Sequence, residues 1–144
     1  MASFVYNNFK YRQLGDTGVT PINFKTDTIK LSLHSSSYTP NEDSHDFFDD
    51  VTNEVSNSGS YSAGGATLTV TTSQDNTDNE GVMDAVDVSF TSATITARYA
   101  VIYKSTGTAS TSPLSLLIDF GSNQISTAGT FTITFASEGI LNLT

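Results

Sequence analysis

Two histidines, fifteen carboxylates and no cysteine define the chemistry open to this chain of 144 residues. His34 closes an alternating apolar segment, and His45 sits beside Asp43 and Asp46. An imidazole in such company could act as general base to a serine, with a carboxylate holding its ring, but only if folding brings the three together. Serine and aspartate are too abundant here for their presence to single out a partner. No Gly-x-Ser-x-Gly run presents a serine on a strand-to-helix elbow. Both histidines are therefore expected to be internally satisfied or solvent-facing, and no residue is assigned a catalytic role. The absence of cysteine excludes thiolate chemistry and disulfides.

The carboxylates fall into two clusters, Glu42, Asp43, Asp46, Asp49, Asp50 and Glu54, then Asp75, Asp78, Glu80, Asp84 and Asp87, which together hold eleven of the fifteen. Within the second, residues 76–81 read Asn-Thr-Asp-Asn-Glu-Gly, and Asp87 falls where a twelfth-position ligand would stand. Oxygen ligands at alternate positions followed by glycine are what a calcium loop uses. Such a loop is flanked by helices, whereas Val82 and Val86 belong to an alternating, strand-like run. The acidic segment 74–81 is accordingly expected to be a solvated loop, with no metal or cofactor assigned. Carboxylate pairs for glycoside hydrolysis are unconstrained, and there is no tryptophan to stack on a sugar. Gly64 and Gly65 read as a turn rather than a phosphate cradle.

The elements that must position these groups are almost all strands. Residues 93–104 place Ile95, Tyr99, Val101 and Tyr103 on one parity, and residues 114–120 are nearly continuously apolar. Period-two alternation marks a half-buried strand, and a continuous apolar run a fully buried one. Residues 105–113, with Gly107 and Pro113, read as the loop of a central hairpin. Further strands are expected at 27–34, 66–72, 82–90, 130–136 and 140–143, and loops at 17–21, 35–43, 57–65, 74–81 and 121–129. A helix is expected over 3–14, capped by Ser3 and ended by Gly15, and a second short one over 46–55. Serine and threonine supply 42 residues, which suits strands. The expectation is a single all-β domain over 1–144, an antiparallel β-sandwich or jelly-roll-like barrel with one short N-terminal helix. Residues 1–16 would be a helical arm or cap, and 27–144 the β core.

A net charge of −9, with only six lysines and arginines, disfavours nucleic-acid backbones. No apolar run approaches the roughly 20 residues of a membrane helix. Residues 1–10 lack the basic-then-apolar order of a signal peptide, so export is not expected.

Several short runs, taken together, resemble a family of small virion proteins of tailed bacteriophages. They are Asp-Thr-Ile-Lys at 27–30, Ser-Ser-Tyr-Thr-Pro at 36–40, Val-Thr-Asn-Glu-Val at 51–55 and Ala-Gly-Gly at 63–65. Ala-Arg-Tyr-Ala-Val-Ile-Tyr-Lys at 97–104, Ile-Asp-Phe at 118–120 and Gly-Thr-Phe-Thr-Ile at 129–133 complete the series. The resemblance spans residues 27–141. It implies a non-enzymatic component of the virion, assembled in the host cytoplasm, with no catalytic motif to carry over. The first expectation is a capsid decoration (cement) protein that binds the major capsid protein lattice as a homo-oligomer and stabilises the head. A neck, tail or fibre-associated component is the alternative within the virion, and a carbohydrate-binding or adhesion module the alternative from another class. Residues 16–24 are longer and less regular than the family pattern, and residues 71–81 more acidic.

Overall fold

The structure, a computed structural model, describes residues 2–15, 18 and 20–144; parts of the expected arm 1–16, loop 17–21 and linker 16–24 therefore lie outside the described residues. In chain order the elements are β1 (Phe4–Val5), α1 (Asn7–Gln13), β2 (Ile29–His34), β3 (Ala66–Thr67), β4 (Val70–Asp75), β5 (Glu80–Ala85), β6 (Val88–Lys104), β7 (Leu114–Ile133) and β8 (Leu141–Leu143). Two antiparallel sheets result, β1-β7-β6-β2-β3 and β4-β5-β8, and neither closes into a barrel. The all-β expectation with one short N-terminal helix holds.

β6 and β7 form the spine, paired from Tyr103 opposite Leu114 to Val88 opposite Ile133. Residues 105–113 form the expected loop, with a short 3₁₀ turn at Ala109–Thr111. One face of the large sheet carries Ile29, Leu31, Leu33, Ile95, Ile102 and Phe131, which pack with Leu68, Met83 and Leu141. The other carries Tyr6, Tyr38, Tyr99, Val101, Tyr103, Leu114 and Leu117 in a second, aromatic-rich cluster. Burying each large side chain stabilises the fold by about 1.5–3 kcal/mol relative to exposure, so both faces matter.

The alternation of β6 breaks at Arg98. Ile95 and Ala97 face the first cluster, and so do Ala100 and Ile102, whereas Tyr99, Val101 and Tyr103 face the second. Same-parity residues Ile95 and Tyr99 thus lie on opposite faces, against the sequence reading. The register shifts between Ala97 and Tyr99, two steps along β6 facing five along β7 from Gln124 to Asp119, and the Arg98 guanidinium is held by the Asp119 carboxylate at 3.2 Å. A bulge of this kind re-aims every side chain beyond it.

Other boundaries also move. The expected loop at 121–129 is part of β7, and the gap between the expected strands 82–90 and 93–104 is part of β6. The glycine and serine signals there mark irregularities within paired strands, with φ of 81° at Gly121, 52° at Ser92 and 44° at Ala128, rather than chain reversals. Conversely, the expected strand at 66–72 is divided between the two sheets, and that at 82–90 is cut by Val86 and Asp87.

The expected helix at 46–55 is reduced to a 3₁₀ turn at Phe48–Asp50. The Asp50 carboxylate accepts the backbone N–H groups of Asp46 and Phe47 at 2.8 and 3.1 Å, and Val51 is already extended. Short acidic side chains compete in this way with helix propagation.

The N-terminal helix starts later than Ser3. Phe4 and Val5 pair with Leu117 and Leu116, and the Ser3 hydroxyl accepts the Asp119 N–H at 3.0 Å. Gly15, at φ 80°, ends α1 as expected, its N–H bonded to the Arg12 carbonyl. Tyr6 and Phe9 are buried, so this segment caps its own domain.

Candidate functional site

His34 lies in the last position of β2 with no exposed surface. Its Nδ1 donates to the Thr52 carbonyl at 2.8 Å, which leaves Nε2 to accept the Ser32 hydroxyl, also at 2.8 Å. A serine two residues earlier on a strand shares the face of the histidine, so the spacing alone carried the signal for this pair. The geometry is that of a nucleophile and its base, but both side chains are sealed in the protein and the orienting acceptor is a backbone carbonyl. Burial pushes the His34 pKa down to about 4, the Thr52 bond opposing that shift only in part. The pair is a satisfied internal element, as the sequence suggested for a histidine.

His45 is half-buried and stacks on Tyr38, whose hydroxyl bonds to its Nδ1 at 2.8 Å. Tyr38 in turn meets the Tyr6 hydroxyl at 3.2 Å, and burial drives both phenols upward from their ordinary value. These phenols therefore stay protonated and act as hydrogen-bonding groups.

The first acidic cluster is largely consumed by the fold. Glu42 takes the Lys10 ammonium at 2.8 Å and Asp43 the Asn7 amide at 2.6 Å. Glu54 accepts the Tyr61 hydroxyl at 2.7 Å and the Gly64 N–H at 2.6 Å. In the second cluster Asp75, Asp78 and Glu80 bring carboxylate oxygens within 4.8 Å of one another at the β4–β5 turn. The N–H groups of Thr77 and Asp78 hold the half-buried Asp75 carboxyl below the usual range. Asp87 does not join this group; it accepts the Phe135 N–H at 2.9 Å. The calcium-loop reading thus loses its twelfth ligand, and its flanks are strands.

The feature the sequence did not disclose is an open strand edge. The outer edge of β2 is closed: β3 pairs with Lys30 and Leu31, Val55 N–H reaches the Leu33 carbonyl, and the Tyr61 hydroxyl accepts the Leu33 N–H. The far half of β6 is laced at its bulge by Ser58 and Ser60, whose hydroxyls accept the Thr94 and Thr91 N–H groups, both at 2.8 Å. On the other side of the ribbon, β1 covers β7 only at Leu116 and Leu117. From Phe120 to Ile133, no strand among the described residues pairs with that side of β7. Alternate backbone groups of an edge strand point outward and can template another strand.

A groove of about 770 Å³ runs along this edge, lined by Phe4, Val5, Phe120, Ile125, Phe131 and Phe135 among others. Ile125 is 69% exposed, and the lining carries no ionisable side chain. β4, the outer strand of the second sheet, instead presents exposed Thr71, Thr72, Ser73 and Gln74 and borders a polar, acidic hollow. Reading 121–129 as a loop hid the edge; the exposed Ile125 within it was the available signal.

Compared with family models, with curated proteins and with solved structures, the chain matches none of them.

Proposed function

We propose that the chain is a structural component of a tailed-bacteriophage particle, a head decoration protein that docks on the major capsid protein lattice through the open edge of β7. The resemblance of runs such as 97–104 and 129–133 to small virion proteins supplies the class. The observation that carries the docking is the uncovered edge beside an apolar groove, whereas the outer edge of β2 is closed and the outer strand β4 presents polar side chains. Proteins that do not use an edge shorten it, charge it or cover it. A shell repeats its binding site many times, so a modest contact suffices at each. The groove lining carries no ionisable side chain to serve as general acid or base. Sugar recognition is disfavoured, because five of the six tyrosines are buried and only Tyr11 is exposed.

Quantitative mass spectrometry of purified particles, normalised to the major capsid protein, tests this. The expected count is on the order of hundreds of copies, as a repeated lattice requires. A count near a dozen would move the protein to the neck or tail, and absence would overturn the virion reading.

A further inference from the structure

Charge is distributed unevenly along the chain. All six basic residues, Lys10, Arg12, Lys25, Lys30, Arg98 and Lys104, lie outside residues 66–97 and 105–144. Those two stretches build β4, β5, β7, β8 and the far half of β6, and carry Asp75, Asp78, Glu80, Asp84, Asp87, Asp119 and Glu138. Arg98 compensates Asp119 at one end of the groove. At the other end Glu138 is exposed between lining residues Ala136 and Gly139, and exposed Asp87 holds the Phe135 backbone. Apart from residues 3–5 and from Arg98 at that one end, the apolar trough is therefore set among stretches that carry carboxylates and no basic side chain.

We propose that the groove accepts an extended segment of a different protein, in which apolar residues alternate with lysine or arginine. The segment adds to β7 as a strand. Its backbone pairs with the outward amides and carbonyls of residues 120–133, its apolar side chains enter the trough, and its cations face the acidic rim. A second copy of this chain is the poorer occupant: β7 paired with β7 about a two-fold axis would juxtapose two halves of like charge. The inference rests on the docking proposed above and adds the chemistry of the partner.

The probe is a fluorescein-labelled peptide of alternating valine and lysine, about ten residues long and so roughly 33 Å when extended. Its anisotropy is followed against the full chain. Binding is expected to weaken with salt. It should fall about tenfold or more for Ile125→Lys, and for the same peptide with alternate amides N-methylated, which keeps the charge but blocks strand pairing. Ile125 is largely solvated, so the variant should keep the wild-type melting temperature; Thr130→Lys, an exposed position on the same groove, serves as a second block. Equal binding of a valine–glutamate peptide would overturn the basic chemistry, and indifference to N-methylation would overturn strand addition. Dimers of the wild type that Ile125→Lys dissolves in sedimentation runs would install a second copy instead. If no peptide binds although the protein is abundant in particles, this inference alone falls. If the protein is missing from particles, the virion reading falls and the peptide result stands.

Discussion

Gly65→Ala should destabilise the domain by about 4 kcal/mol, an effect confined to a few mechanisms, of which backbone collision is one. Gly65 has φ 79°, and a Cβ there would stand inside contact distance of the Leu31 carbonyl in β2. Neither partner can yield cheaply. Leu31 lies in the core and pairs with Ala66 on one side and Ile102 on the other, so a shift would disturb three strands. Gly64, next to it, is pinned by the Tyr103 hydroxyl, which donates to its carbonyl at 2.6 Å. Gly121 provides the control. Its φ is 81°, but a Cβ there meets nothing within 4 Å, so Gly121→Ala should cost only the conformational term of about 1–2 kcal/mol. Denaturant melts of the two variants separate collision from φ preference. Equal losses would contradict the close docking of Gly65 on β2.

Acidification should remove about 3 kcal/mol of stability through His34 alone. Its pKa is about 4 when folded, against 6.5 for the free side chain. Between these values the unfolded chain binds a proton that the folded one refuses. The stability contributed by a neutral His34 is therefore complete above pH 6.5 and is lost as the pH falls towards 4. Carboxylates titrate in the lower part of the same window, so the decisive comparison is with His34→Gln. Glutamine can donate to the Thr52 carbonyl and accept the Ser32 hydroxyl without taking up a proton. Its unfolding free energy should decline less steeply than that of the wild type between pH 6.5 and 4. Parallel declines would mean that His34 gains a proton without leaving its site.

The sequence disclosed the elements whose apolar residues alternate against one buried face. Ile29, Leu31 and Leu33 in β2 and Phe131 and Ile133 in β7 are of this kind. It misled where a bulge resets the period, as at Arg98, because parity counting assumes an uninterrupted pleat. It also misled at 121–129, where one edge is open and residues 121–125 are exposed, so period two had no burial to express. The acidic clusters were visible as composition, but their division into Asp50 and Glu54, which bind backbone N–H groups, and Asp75, Asp78 and Glu80, which gather at a turn, depends on contacts made by folding. The Ser32–His34 pair was within reach of spacing alone. The open β7 edge was not, since an edge is defined by which strands fail to pair with it.

Hydrogen–deuterium exchange of the protein free and bound to purified particles puts the β7 edge to the most direct test. Free, the outward amides of residues 120–133 should exchange far faster than those of residues 99–104 in β6, which are paired on both sides. On the particle, docking through this edge predicts new protection over 120–133, with α1 and the β4–β5 turn unchanged. Protection confined to α1 or the acidic turn, with residues 120–133 still exchanging freely, would contradict it.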